Sequence, residues 1–235
     1  ERLSLEGFEE RTRRYAREAG VEDDEPVQQR IAAVHTNREC LPPDEIDVFV
    51  GDGDSIEVCG QEFEALHTPG HQAEHLAYAC EDLLFSGDAL IEAFRSVIYD
   101  VGFDEGMYDA VGNCYETFRR LGERDAERVY PGHGPVFDDP SSVAENSLGS
   151  LDALVESAYE AVGSLDDPTA FEVAVERKKP GHDVRHLIFD NIAALGYLEK
   201  QDRLTSYVDD GIRRYRYVET PTETETDADV PETSV

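Results

Sequence analysis

The amino-acid sequence predicts an α+β protein on three observations. Residues 3–38 carry apolar side chains at helical spacing. The stretch from Ile46 to Gly87 alternates short apolar runs with turn residues, and the chain beyond residue 166 follows a helix, turn, helix, hairpin order. At 235 residues there is enough chain for one full domain and a smaller second one, with a hydrophobic fraction of 40% to supply the core. No run approaches the roughly 20 apolar residues of a spanning helix, which excludes a membrane-embedded protein of that kind.

In chain order, Leu5, Phe8, Tyr15 and Ala19 share one face of a first helix, Gly20 breaks it, and a second helix runs through Ile31 and Val34. The period then changes. IDVFV, SIEV, EFEAL, HLAYAC and LLFSG read as strands, separated by GDGD, CG, HTPGH and ED as turns. After Asp88 an irregular region precedes a helix from about Gly106 to Leu121, with Tyr108, Val111, Tyr115 and Phe118 on one side. ERVY forms another short strand ending in PGHG, and a helix from about Ser141 to Val162 closes at GSLDDP. These boundaries give a first domain over 1–165, a second over 166–218, and a tail over 219–235. The tail holds six acids and no base, and is expected to be disordered.

The net charge is −32, from 53 acidic and 21 basic residues, and only three of the bases are lysines. Such a surface repels itself at low salt and becomes tolerable where molar salt shortens the screening length to about 3 Å, so a halophilic, cytoplasmic protein is expected. Cys40, Cys59, Cys80 and Cys114 lack the spacing of a zinc ribbon or a disulfide scaffold and are expected to be reduced, buried small hydrophobes. Residue 1 is Glu, and Met107 is the sole methionine.

Three segments share one design: an apolar strand, a turn built on Pro or Gly, and a metal-competent side chain at its tip. They are EFEALHTPGH ending in His71, DLLFSGD ending in Asp88, and ERVYPGHG holding His133. Neutral imidazoles and a carboxylate at convergent strand ends suit Zn²⁺ or a comparable transition ion. Taken together and in this order, HTPGH, GD and PGHG resemble the later half of the metallo-β-lactamase superfamily. The resemblance implies that His71 is a ligand of one metal, His133 the last ligand of a second, and Asp88 the carboxylate bridging both. It also implies two zinc ions, with iron or manganese as alternatives, and an αβ/βα sandwich fold. His75 is a candidate for orienting a ligand or lining the substrate site, or is simply the first residue of the HLAYAC strand. His67 is expected to hydrogen-bond locally, and His182 and His186 to be surface or packing residues.

The family's HxHxDH run, which supplies most ligands of both metals, has no counterpart upstream of HTPGH, and VHTNREC at 34–40 does not match it. Three donors cannot close a dinuclear centre. The chain is therefore expected to be the C-terminal portion of a longer hydrolase, with the N-terminal sheet largely missing and the inner face of its own sheet left apolar. Superfamily activities include cleavage of thioesters, esters, lactams and nucleic-acid phosphodiesters.

The C-terminal order of elements resembles a winged helix, which some superfamily members carry. Between Glu176 and Val218 nine bases face seven acids, so the stretch is weakly basic in an otherwise acidic chain. A small thioester or ester substrate is expected. The alternative is a nuclease, or a non-catalytic module whose winged helix binds nucleic acid or a protein partner, with nucleic acid disfavoured; homodimerisation or a lid over the active site is another job open to that region.

Overall fold

The computed structural model describes residues 4–22, 24–40, 48–93, 95, 98, 103–180, 184 and 187–218. The acidic tail, His182, His186 and the first two residues of IDVFV lie outside the described residues. The architecture is α+β. Helices α1 (Leu5–Glu18) and α2 (Asp24–Cys40) precede strands β1 (Ser55–Val58), β2 (Gln61–His67), β3 (Leu76–Cys80) and β4 (Leu83–Gly87). A 3₁₀ turn (Glu105–Tyr108), α3 (Ala110–Gly122), β5 (Arg128–Pro131) and the long α4 (Pro140–Ser164) follow. The chain continues through α5 (Ala170–Glu176), α6 (Ile188–Lys200) and the hairpin β6 (Leu204–Asp209) and β7 (Ile212–Tyr217).

Each of three helix starts has a local cause. Ser4 caps α1 by accepting from the Gly7 N–H, and Asp139 caps α4 just ahead of Pro140, whose missing N–H costs nothing in a first turn. Thr169 and Glu172 form a capping box at α5. Gly20 ends the first helical stretch with φ +83°.

The five-stranded sheet runs β1-β2-β3-β4-β5, antiparallel except for the parallel β4–β5 pair. Two antiparallel steps separate β2 from β4, so β2, β4 and β5 all point the same way. Their carboxyl ends therefore reach one edge of the sheet, and those ends carry HTPGH, GD and PGHG.

One face of the sheet, with Leu66, Ala77, Leu84 and Val129, enters a core shared with Phe118 and Leu121 of α3, Leu151 of α4 and Leu195 of α6. The C-terminal helices and hairpin contribute to that same core through Ile192, Leu198, Leu204 and Tyr215. Contact is close enough that a Cβ on Gly196 would lie 2.6 Å from the Tyr108 carbonyl oxygen.

The opposite face presents Phe63, Tyr78, Phe85 and Tyr130, all half-buried and none of them in the core. Phe85 stacks on Tyr130 at 5.1 Å between ring centroids and lies 5.7 Å from Phe63. An apolar stripe of this kind should bind a hydrophobic dye in the folded chain at molar salt, and Phe85→Ser, which removes the ring common to both contacts, should lower the signal. A cooperative melt with no dye bound by the unsubstituted chain would show that something covers the stripe.

Three expectations change. Val48 and Phe49 are not in a strand and stand 65% and 84% exposed, because the Gly51–Asp54 turn folds back on β2 before pairing starts at Ser55. All four cysteines are free and Cys80 and Cys114 are buried, yet Cys40 at the end of α2 and Cys59 in the β1–β2 turn are exposed. Leu5, expected on the buried face of α1, is 40% exposed, while Phe8 and Tyr15 are buried.

Candidate metal centre

His71 and His133 approach different oxygens of the Asp88 carboxylate. His71 Nε2 lies 3.7 Å from Asp88 Oδ2, and His133 Nε2 lies 3.6 Å from Oδ1. His71 is largely enclosed at 11% side-chain exposure, Asp88 is at 30%, and His133 is open at 67%. One imidazole is thus walled in and the other faces solvent.

Each turn is fixed by bonds the motif itself provides. In HTPGH the Thr68 N–H donates to the His75 carbonyl at 2.9 Å, and the Thr117 hydroxyl of α3 donates to the Pro69 carbonyl at 2.7 Å. Gly70 has φ +130°, a conformation only glycine adopts without strain, and a Cβ there would lie 2.4 Å from Cys114 Sγ. Burial pushes the Cys114 thiol up to about 12, so it acts as a small apolar plug beneath the turn. In PGHG the Gly132 N–H donates to the Gly87 carbonyl at 2.7 Å, joining the strand ends that carry Asp88 and His133. A Cβ on Gly132 would lie 2.4 Å from Asp88 Oδ1, so glycine there is what leaves the carboxylate its place.

His75 has both ring nitrogens occupied. Its Nε2 accepts from the Asp88 backbone N–H at 3.2 Å, which leaves Nδ1 to donate to the Thr68 hydroxyl at 2.7 Å. Thr68 in turn can donate to the His75 carbonyl at 3.4 Å. Burial, followed by the nearby His71, lowers the His75 pKa and keeps the ring neutral, as an acceptor at Nε2 requires. His75 therefore positions Asp88 rather than offering a lone pair to an ion. His67 ends β2, with Nε2 2.7 Å from the Ala73 carbonyl, and His35 pairs with Glu9 at 3.0 Å between the first two helices.

The donor set fits half of a two-ion centre, with one imidazole and one carboxylate oxygen per ion. Zinc takes four donors, and among the described residues no group of three or more His, Cys, Asp or Glu is gathered closely enough to enclose an ion. Sequence reasoning missed Thr68, Cys114 and the joining of Gly132 to Gly87. Thr68 could have been found from its place inside HTPGH, whereas Cys114 had no signal beyond its helix.

Comparison with known proteins matches these features. The family model described as the metallo-beta-lactamase superfamily matches residues 9–133, starting well before HTPGH at 67–71. The beta-lactamase-like protein 2 homolog of Caenorhabditis elegans is 32% identical over 92 residues, covering 38% of this chain and 28% of that protein. The hydroxyacylglutathione hydrolase of Xylella fastidiosa strain M23 is 49% identical over 51 residues, 22% of this chain and 20% of that one. This chain thus spans less than a third of either relative.

A crystal structure of a metallo-beta-lactamase family protein from Thermus thermophilus superposes with a TM-score of 0.72 at 24% identity. The match covers 91% of this chain and 65% of that one, and establishes likeness of fold. With the family model spanning more than half its length and its three strand-end turns converging on one carboxylate, the chain belongs to the metallo-beta-lactamase superfamily.

Proposed function

We propose that these residues belong to a metal-dependent hydrolase that cleaves a small thioester or ester in a salt-rich cytoplasm. The observation that carries it is the placement of the His71 and His133 imidazoles against the two oxygens of one carboxylate. Asp88 would span two zinc ions, or iron or manganese in their place, with His71 and His133 holding one each. Two bound divalent ions would supply Lewis acidity, lowering the pKa of water and polarising a carbonyl. His75 and Thr68 hold the Asp88 backbone in register, and Gly132 keeps Oδ1 unobstructed.

Substrate class is argued from similarity and from charge. An acylglutathione is a thioester, and a relative named for hydrolysing one is 49% identical to this chain over 51 residues. Nucleic acid is disfavoured because the winged-helix-like region spends its arginines internally. Arg213 pairs with Glu18, Arg214 lies 3.7 Å from Glu172, and Arg216 pairs with Asp167, whose carboxyl it holds down at about 2. Arg203 pairs with Glu156 and Lys200 with Asp109. Few of these bases remain to release counterions from phosphate, and a chain of charge −32 repels a polyanion. That region then serves as support for the site or as a dimer contact.

The test uses the complete reading frame containing these residues, assayed in molar salt with zinc against an acylglutathione and against single-stranded RNA. Chelator-sensitive thioester turnover without RNA cleavage is expected. Metal-dependent RNA cleavage with no thioester turnover would reverse the choice.

A further inference from the structure

Behind the ligand turns lies a buried charge cluster that metal binding does not use. Arg95, on the segment leaving β4, places Nη2 2.7 Å from Oδ2 of Asp190 in the first turn of α6, with side-chain exposures of 15% and 14%. The Ile98 backbone also hydrogen-bonds the Asp190 carboxylate, and Ile98 is fully buried. A second guanidinium, Arg177 at the end of α5, acts on the same carboxylate while donating to Asn191 Oδ1 at 2.5 Å and to the Ser157 hydroxyl of α4 at 2.9 Å.

The cluster reaches forward as well. Arg95 and Asp190 lie near enough to Cys114 for their charges to act on its thiol, and Cys114 is the plug against which Gly70, the residue before His71, is pressed.

We propose that the Arg95–Asp190 pair is a positioning device that fastens the His71 turn and the segment leaving Asp88 onto α6. The proposal takes the metal-hydrolase assignment as its premise only in regarding those turns as ligand turns. Desolvating two charges makes a buried ion pair a poor source of stability, and an apolar pair of similar volume would commonly do as well or better. What the ion pair adds is direction. The Asp190 carboxylate accepts from both Arg95 and Ile98, which fixes where those two residues sit against α6 in a way greasy contact cannot. It also gives the C-terminal helices a role in the site that requires no nucleic acid.

The test needs no metal and no substrate. The 235-residue chain in molar salt is alkylated with a maleimide, and the rates at Cys80 and Cys114, both buried, are resolved by mass spectrometry. Asp190→Asn keeps the side-chain shape but leaves two guanidiniums facing a neutral amide. The Cys114 rate is expected to rise about tenfold or more through local opening of the Gly70–His71 turn, with the Cys80 rate unchanged. The nitrogen resonances of the His71 ring should shift while those of His133, on a different strand end, stay in place.

Arg95→Met combined with Asp190→Leu repacks the site without charge and keeps the test valid if the single variant folds poorly. It should show the same selective exposure of Cys114 at near-normal thermal stability. Unchanged Cys114 protection in both variants, or exposure of Cys80 and Cys114 in parallel, would overturn the proposal. Failure of the thioester assay with selective Cys114 exposure intact would instead count against the hydrolase assignment alone.

Discussion

Gly70→Ala is expected to destabilise the chain by about 2–6 kcal/mol, measured by urea or thermal unfolding in molar salt. Two penalties add. With φ at +130°, the position lies where an L-residue is strained by about 1–3 kcal/mol. The new methyl would also sit 2.4 Å from Cys114 Sγ, and 3.1 and 3.2 Å from the backbone nitrogen and Cα of the same residue. Inserting a methyl into a packed interior costs about a further 1–3 kcal/mol.

A second substitution separates the two penalties. Cys114→Ala removes the sulfur, so in the double variant part of the overlap disappears while the backbone strain and the tight contact with α3 remain. The double variant should therefore recover some of the loss and not all of it. A Gly70→Ala chain within about 1 kcal/mol of the unsubstituted one would mean that the turn beneath His71 is not built as described, since surface substitutions rarely cost more than about half that.

The strands were legible where alternation and turn chemistry agreed. In LLFSG alternate residues are buried, and the Cys59–Gly60 turn ahead of EFEALH carries the paired positive φ angles, +54° and +79°, that a two-residue hairpin demands. Val48 and Phe49 form no strand because the edge of β2 beyond Glu64 is already taken by the turn that follows them, where the Gly53 N–H donates to the Ala65 carbonyl and the Asp52 carboxylate accepts from the His67 N–H. The convergence of the three motif-bearing turns was legible for a topological reason. His71, Asp88 and His133 each follow a strand pointing the same way, so a motif read locally three times predicts one convergent edge.

The sequence leaves His75 open between orienting a ligand, lining the substrate site and simply starting a strand, and the bond it accepts from the Asp88 N–H is a contact that no local pattern announces. Arg95 and Asp190 were invisible because they stand 95 residues apart with no shared pattern, and pairing at such distance is a property of packing. The same holds for Glu18, which meets Arg213 from the other end of the chain at 2.7 Å.

In the protein expressed from the complete reading frame, Asp88→Ala is expected to remove hydrolysis by more than about a thousandfold, and His75→Gln by about ten- to a hundredfold. The difference follows from where each group acts. Asp88 offers one oxygen toward His71 and the other toward His133, so its loss deprives both prospective ions at once. His75 acts through the Asp88 backbone and Thr68; a glutamine can still accept from the Asp88 N–H, but it lacks the fixed ring that ties that bond to Thr68. Equal losses from the two substitutions would count against assigning the bridge to Asp88. The 235-residue chain adds a check that does not depend on turnover. With one imidazole and one carboxylate oxygen available per ion, elemental analysis after desalting should find at most one weakly held zinc per chain, and Asp88→Ala should abolish even that. Two tightly held equivalents would mean that donors other than His71, Asp88 and His133 complete the centre from within these residues.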